Sequence, residues 1–426
     1  MARWNGCGAR ARWARPVCRC GWCQTRRGDS AHPATDGVRG VNGRISMVDA
    51  LRGWALLGLF LVHCVERFAL YRLEPWNDDT LRLIFALFGS KSFALFAMLF
   101  GFSFATIMGN ARARGTDFTG RFIWRLVLLL GFGTLHVALF RGEILQLLAV
   151  VGLLMIPFDR VKSDRVLLAV AMVAFLQVPL LARMVGAALG QGWAAMPLFP
   201  APPDDLTTLT TGTFWQATWE NLTRGNVVKW SFYIERGRAM QIVGLFLVGM
   251  VIQRRGWLAR ADRHRLGWGL VLLGGGALGL LGRDLALLVA DLLPGLPGDR
   301  HAANAGMMWS MLGWTAVHAA VFVFAWQTPV QRLLGWLAAP GRMTLTLYIG
   351  QSVLMAPLLY GWGLGLWDAF NPTVMALAGL VLFALQALAA RWWFARFRYG
   401  PMEWLWRAGT LGTWAVPNRL AAANAR

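Results

Sequence analysis

The stretch VDALRGWALLGLFLVHCVER, residues 48–67, decides the fold. Arg52 and His63 are eleven residues apart, close to three full turns, so a helix presents both side chains on one face. At 1.5 Å per residue, His63 lies about 16 Å beyond Arg52, past the middle of a bilayer about 30 Å thick. Asp49 precedes Arg52 by three residues, and Glu66 follows His63 by three. Ionisable side chains at such a depth need a partner or a function.

The composition of the whole chain indicates a membrane protein with several spans. Of its 426 residues, 57% are hydrophobic and only 15% are charged, and the mean hydropathy is +0.47. The net charge of +21 would suggest a nucleic-acid partner in a soluble protein. Here the basic residues fall in short clusters between apolar runs, the pattern of cytoplasmic loops that face anionic lipid. The sequence therefore predicts a lipid bilayer as partner and no nucleic acid.

The apolar runs predict an all-α bundle of about ten transmembrane helices with both termini in the cytoplasm. With the N-terminus inside, nearly all clustered Arg and Lys residues fall on the cytoplasmic side, as the positive-inside rule requires. Lys91 lies within the second run, which is interrupted at Gly89–Ser92. The predicted spans are 51–70, 82–108, 121–140, 143–158, 165–189, 238–253, 266–290, 305–326, 343–361 and 372–394.

These spans divide the chain into five predicted parts. A basic tail at 1–43 precedes an N-terminal membrane domain at 44–190, and a Pro- and Trp-rich outer loop at 191–237 follows it. A C-terminal membrane domain at 238–410 and a tail at 411–426 complete the chain. The density of aromatic residues in the loop is typical of segments in the headgroup layer.

The first part of the chain carries four of the five cysteines, Cys7, Cys18, Cys20 and Cys23. Such a cluster has the residue type to bind zinc, but its spacing does not match a usual finger. The segment has no hydrophobic pattern, so we interpret it as a disordered tail or as upstream sequence included by a misassigned start codon. No metal site is predicted for the protein.

Polar residues of several spans share a depth in this topology. Lys91, His136 and Glu143 are predicted near His63 in the outer half of the membrane, and Gln351 lies near mid-depth. A second interpretation remains for each: Lys91 extending its amine to water, His136 hydrogen-bonded in a wall, Gln351 bonded between helices, and His63 with Glu66 as a structural pair. Arg121 and Arg125 mark cytoplasmic ends, where they would bind either lipid headgroups or an anionic ligand.

Several motifs resemble the YeiB-like family of bacterial inner-membrane proteins, whose C-terminal domain has no assigned function. The resemblance runs in order from residue 44 to about 410, and the family usually has Asn where this chain has His63. Its motifs here are RISMVDALRGWALLGLFLV, FALFAMLFGFSFA, RFIWRLVLLLGFGTLH with GEIL, GRAMQIVGLFLVGMVIQRRG, GRMTLTLYIGQS and YGPMEWLWR.

A more distant resemblance connects the chain with acyltransferase family 3 and with heparan-glucosamine N-acetyltransferase. In acyltransferase family 3 an Arg, ten residues and a catalytic His occupy the first span, and Arg52 and His63 reproduce that spacing. The resemblance implies acyl-CoA as co-substrate, with its phosphates bound by Arg52, Arg121 and Arg125. His63 would be the general base, oriented by Glu66.

Two functions follow from these expectations. The favoured one is a membrane acyltransferase that modifies an envelope glycan or another polar acceptor, which Lys91, His136, Glu143 and Gln351 would bind from the outer side. The alternative is a transporter that uses the same buried ionisable groups as a substrate or proton path. The sequence shows no inverted or parallel repeat of the kind common in transporters.

Overall fold

A computed structural model describes residues 45–68, 70, 78–202, 206–292 and 300–420. The predicted N-terminal tail, with its four cysteines, lies outside this part of the chain, and so do residues 421–426 of the predicted C-terminal tail. Every named element of the described residues is helical. The predicted all-α class is therefore confirmed.

Among the described residues, the N-terminal half supplies eleven α-helices. They are α1 (Ser46–Val65), α2 (Asp79–Leu87), α3 (Lys91–Ala113), α4 (Thr119–Val137), α5 (Leu145–Met155), α6 (Asp164–Phe175), α7 (Val178–Ala188), α8 (Gly192–Ala195), α9 (Thr207–Thr211), α10 (Phe214–Glu220) and α11 (Asn226–Glu235). A 3-10 turn follows α5, and a π-helical turn joins α10 to α11.

The C-terminal half supplies eight more. They are α12 (Arg238–Arg255), α13 (Arg265–Asp291), α14 (Arg300–Trp326), α15 (Gln331–Leu334), α16 (Ala338–Arg342), α17 (Thr344–Leu359), α18 (Pro372–Phe394) and α19 (Pro401–Leu411). Short 3-10 turns precede α13, α16 and α18.

Each of the ten apolar segments predicted as spans coincides with a helix or a broken helix, but the count of ten spans is not confirmed. Among the described residues, six helical segments are long and apolar enough to cross a membrane: α1, α2 with α3, α4, α13, α14 and α18. The pair α6 and α7, bent by 42°, would make a seventh. α5 and α17 are short, and α12 includes three arginines, which explains why these three segments fall outside the count.

Helix α1 lies at the centre of the bundle. Of its apolar window 78% is buried, against 17% for α13, which lies at the periphery. α1 packs on α3 and also on α16, α17 and α18 of the C-terminal half. The contact with α16 is a backbone contact, because a methyl group at Gly53 would collide with the carbonyl oxygen of Leu337, and one at Gly341 with that of Asp49.

The second predicted span is broken at Ser90, as its Gly-Ser-Lys-Ser sequence suggested. Ser90 has a left-handed backbone conformation with φ 64° and separates α2 from α3. The Arg238 guanidinium donates a hydrogen bond to Ser90 Oγ at 2.8 Å, and Lys91 Nζ donates to the carbonyl oxygen of Phe85 at 2.9 Å. Side chains thus satisfy the polar groups that the break exposes, as buried irregular backbone requires.

The segment predicted as an outer loop folds into short helices. Arg183 of α7, which is buried, pairs with Glu235 at 2.8 Å and donates to the carbonyl oxygens of Ala194 and Met196. This guanidinium fastens the segment to the bundle at both its beginning and its end. Trp215 and Trp219, one turn apart on α10, are 76% and 69% exposed.

Close packing of α3 on α12 generates a stability prediction. A methyl group at Gly101 of α3 would collide with the backbone carbonyl of Phe246, whereas one at Gly109 of the same helix would meet open space. We expect Gly101→Ala to lower the stability by about 1–3 kcal/mol because the helices must move apart. Gly109→Ala should be neutral or stabilising by up to about 1 kcal/mol through helix propensity. Thermal unfolding in detergent measures both, and an unchanged midpoint for Gly101→Ala would contradict the packing argument.

Candidate functional site

Three arginines line one cavity at the end of the bundle where α1 begins. The cavity has a volume of about 590 Å³ and is walled by α1, α3, α4, α12, α16, α17 and α19. Arg52, Arg125 and Arg342 reach it from three different parts of the chain, and Ser103, Asn110 and Gln253 add neutral polar groups. Such a concentration of guanidinium groups is suited to phosphate or carboxylate ligands.

Arg52 is held in a fixed position at this cavity. Its guanidinium donates to Asp49 Oδ1 at 2.8 Å and to Ser103 Oγ at 2.7 Å, and its side chain is 21% exposed. These two contacts hold the guanidinium group at the wall of the cavity.

Aromatic rings position the other two guanidinium groups. Arg125 lies 3.6 Å from the centre of the Trp406 ring, and Trp406 Nε1 donates to the Arg125 carbonyl oxygen at 2.8 Å. Arg342 lies 3.9 Å from the centre of the Phe394 ring. Stacking of this kind leaves the edge of a guanidinium directed towards a ligand while its flat face is covered.

Glu403 fixes the helix that carries Trp406. Its carboxylate accepts hydrogen bonds from the backbone N–H of Leu345 at 2.7 Å and from Thr346 Oγ1 at 2.6 Å. These donors belong to the first turn of α17, where a carboxylate also interacts favourably with the helix dipole. Burial raises the pKa of Glu403, and its hydrogen bonds oppose that shift.

His63 lies inside the bundle at the other end of α1 and does not line the arginine cavity. Its ring packs edge-on against Phe140 at 4.9 Å and against Phe68 at 5.8 Å. Nδ1 is 3.4 Å from Glu66 Oε2, and neither ring nitrogen has a hydrogen-bond partner among the described residues. A buried imidazole with an unused nitrogen next to a carboxylate is an unsatisfied polar group and a candidate general base.

His136 and Glu143 meet in a second buried polar cluster, and Phe140 packs against both His136 and His63. His136 Nε2 is 2.8 Å from Ser352 Oγ, and its Nδ1 is 4.0 Å from Glu143 Oε1. The Glu143 carboxylate, fully buried, accepts hydrogen bonds from the backbone N–H groups of Leu145 and Gln146.

Lys229 completes this cluster from helix α11. Its Nζ donates to Gln146 Oε1 at 2.6 Å and lies 3.9 Å from Glu143 Oε2. Tyr233, one turn further on, donates to the Glu143 carbonyl oxygen at 3.1 Å. Burial lowers the pKa of Lys229 to about 8, and the charge of Glu143 opposes the shift.

The remaining predicted site residues lie elsewhere. Lys91 bonds to the backbone at the break between α2 and α3, and Gln351 donates to Gln386 Oε1 of α18 at 3.0 Å. Arg121 is exposed and does not line the arginine cavity. In the part of the chain described, no group of three or more His, Cys, Asp or Glu residues is placed to hold a metal ion.

Three residues of these sites were missed from the sequence: Arg342, Trp406 and Lys229. Arg342 and Trp406 lie in the motifs GRMTLTLYIGQS and YGPMEWLWR, but nothing local indicates that they face Arg52. The composition does distinguish Lys229. The chain has three lysines, Lys91, Lys162 and Lys229, among 42 basic residues, so lysine is the rare choice at a basic position of this chain.

Comparison with known proteins divides the chain into two matched ranges. Residues 44–204 match the family described as heparan-alpha-glucosaminide N-acetyltransferase, catalytic. Residues 252–413 match a family described as a protein of unknown function, DUF418. The arginine cavity draws on both ranges, since Arg52 and Arg125 belong to the first and Arg342 to the second.

Individual relatives come from bacteria. The chain is 25% identical over 409 residues to uncharacterized protein YxaH of Bacillus subtilis (strain 168), covering 88% of this chain and 96% of that protein. It is 30% identical over 181 residues to uncharacterized protein YeiB of Escherichia coli (strain K12), covering 40% of this chain and 44% of that protein.

The apolar helices and the two matches define the chain as an acyltransferase-like helical membrane protein. Within that class the chain resembles the YeiB-like family, and its matched ranges support a relation to the heparan-glucosamine N-acetyltransferases. The resemblance found in the sequence is thereby confirmed.

The buried amine of Lys229 predicts a pH-dependent stability. Because its folded pKa of about 8 lies below the value of 10.5 for an exposed lysine, the unfolded chain binds more protons between these pH values. Stability should therefore rise from pH 8 to 10.5, by up to about 3 kcal/mol from this group. We expect Lys229→Gln to show a smaller rise than the wild type when unfolding midpoints are measured across this range. Equal slopes for the two proteins would contradict a buried, titrating amine.

Proposed function

We propose that this protein is a membrane acyltransferase that transfers an acyl group from acyl-CoA to a hydroxyl or amine of a polar acceptor. The observation that supports it best is the cavity lined by Arg52, Arg125 and Arg342. Helix α1, which carries Arg52, also carries His63 three turns away. The catalytic match over residues 44–204 supports the same reaction class. The phosphates of acyl-CoA would bind the three guanidinium groups through charge-assisted hydrogen bonds.

The proposal includes a topology of ten spans with both termini in the cytoplasm of a bacterial inner membrane. Arg52, Arg125 and Arg342 then all lie at the cytoplasmic side, where acyl-CoA is available. The exposed Trp215 and Trp219 lie on the opposite side, at the depth where indole rings favour the headgroup layer. The shorter helices α5 and α17 cross as part of the bundle, protected from lipid by their neighbours.

His63 would act as general base. With its proton on Nδ1, directed at Glu66, the ring accepts the acceptor's proton at Nε2. The acceptor oxygen or nitrogen then bonds to the thioester carbonyl carbon, the carbon–sulfur bond breaks, and the CoA thiolate takes the proton back from the imidazolium. Phe68 and Phe140 pack against the imidazole and hold the ring in place.

The acceptor would bind from the outer side, at the cluster of His136, Glu143 and Lys229. Both imidazoles pack against Phe140, His63 at 4.9 Å and His136 at 6.1 Å between ring centres, so a single phenyl ring connects this cluster with the base. Carboxylate, amide and imidazole groups together suit a sugar or another polyhydroxyl acceptor. Lys91 and Gln351 would contribute at the edges of this region.

The defining experiment measures acyl-CoA binding and turnover by the purified protein. Loss of a general base costs about 10²–10⁴ in rate, so His63→Ala should reduce transfer by that factor while acyl-CoA still binds. His264→Ala is the matched control, because that ring stacks on Trp257 in the connection between α12 and α13. Full transfer by His63→Ala would exclude His63 as the base. Substrate uptake into proteoliposomes without consumption of acyl-CoA would favour a transporter instead.

Two arginines of α4 provide a separate test of the donor cavity. Arg125 lines it and Arg121 is exposed outside it, so the two positions differ in contact with a bound phosphate. A hydrogen bond to a charged group contributes about 1.5–3 kcal/mol, so Arg125→Gln should weaken acyl-CoA binding roughly tenfold to hundredfold. Arg121→Gln should have a smaller effect. Calorimetric titration measures both, and an equal loss for the two variants would place the anion outside the cavity.

A further inference from the structure

A second cavity, of about 560 Å³, is almost entirely apolar and opens towards the lipid-facing surface. It lies between α3, α6, α12, α13 and α14, with walls such as Phe175, Val248 and Leu312. Leucines form part of its rim, Leu168 being 43% and Leu270 63% exposed. We call this cavity the apolar groove. An apolar groove that opens between exposed leucines of a membrane protein is filled by hydrocarbon, since water would gain no hydrogen bonds there.

The apolar groove is separate from the arginine cavity. The two share no lining residue among those described. Helices α3 and α12 form the wall between them, and their backbones touch there, because a methyl group at Gly249 would collide with the carbonyl oxygen of Met98. A chain in the groove therefore comes from the bilayer and not from a donor bound at Arg52.

One end of the apolar groove is strongly basic. Arg255 lines it, and its side chain is 54% exposed. Asp164 pairs with Arg255 at 2.9 Å and with Arg254 at 3.7 Å, so one carboxylate faces two guanidinium groups. Exposed arginines follow closely in the sequence, namely Arg260, Arg263 and Arg265. The excess positive charge suits an anionic group at the end of a lipid chain.

We propose that the apolar groove binds one acyl chain of an anionic phospholipid, whose phosphate lies at Arg255. Trp257, which is half-buried, borders the same end, where an indole ring can meet a headgroup. The binding combines burial of the chain with attraction of the headgroup. It does not depend on the acyltransferase reaction, so its failure would leave the proposed function untouched.

Two glycines of α13 give a matched pair of variants. A methyl group at Gly274 or at Gly276 meets no atom within 4 Å, so both positions accept a larger residue without collision. Gly274 lines the apolar groove and Gly276 does not. Gly274→Leu therefore fills the groove, and Gly276→Leu makes the same chemical change on the same helix outside it.

The experiment measures phosphatidylglycerol and phosphatidylcholine retained by the purified protein, by native mass spectrometry, together with the unfolding midpoint after each lipid is added back. Each buried methylene contributes about 0.8 kcal/mol to binding of the lipid chain. We therefore expect Gly274→Leu to retain less lipid than the wild type, by a factor of more than about ten, and to lose the rise in unfolding midpoint on addition of lipid. Gly276→Leu should keep both the retained lipid and the rise in midpoint. Arg255→Gln should reduce the preference for phosphatidylglycerol about fivefold, since a basic residue near an anionic headgroup contributes about 1 kcal/mol.

Two results would overturn the proposal. Wild-type retention of phosphatidylglycerol by Gly274→Leu would show that no chain occupies the apolar groove. Equal retention of the two lipids by the wild-type protein would show that the groove does not select an anionic headgroup. Arg121→Gln controls for general surface charge, since Arg121 is exposed and does not line the groove.

Discussion

Contact between helix backbones at glycine residues is the constraint on which this structure depends. A helix that carries Arg52 and His63 is tolerated in a bilayer only when neighbours cover it on nearly every side. Gly53 and Gly341 allow α16 to approach α1 to backbone distance, and Gly101 and Gly249 do the same for α3 and α12. Without a strong hydrophobic force between helices in lipid, such close approach provides the dispersion energy for packing. The polar sites can therefore exist because the glycines enclose them.

The sequence predicted the local features of this fold and placed His136 near Glu143 and Arg52 near Arg125, but not the residues that complete either site. Apolar runs located the helices, and the Gly-Ser-Lys-Ser segment located the break at Ser90, because both signals are local. The same signal does not determine the number of membrane crossings, since α5, α12 and α17 are helical but short or charged. Arg342 joins Arg52 only through the packing of α16 on α1, and Lys229 reaches Glu143 from a segment read as a loop. The spacing of residues in the sequence predicts neither of these two contacts.

The two polar regions differ in what they can bind. At the arginine cavity, Asp49 is the acidic residue in contact with Arg52, and the excess of guanidinium groups suits a multiply charged anion. At the cluster of His136, Glu143 and Lys229, the charges of Glu143 and Lys229 balance, which suits a neutral, hydrogen-bonding ligand. An acyl-transfer reaction requires this kind of difference, because its donor carries phosphates and its acceptor need not. Helix α1 carries Arg52 at the arginine cavity and His63 near the cluster of His136, Glu143 and Lys229.

The position of the α3–α12 wall bears on how a soluble donor and the membrane stay apart. A cavity that binds acyl-CoA next to lipid would lose selectivity if lipid chains could enter it, because both ligands combine an anion with a hydrocarbon chain. Here the two cavities share no lining residue among those described, and α3 and α12, which line both, touch backbone to backbone at Gly249 and Met98. A lipid held in the groove would strengthen this separation, since it packs α6, α13 and α14 against these two helices. The glycine contacts between α3 and α12 thus contribute to separating the cavities, while those between α1 and α16 enclose the charged helix.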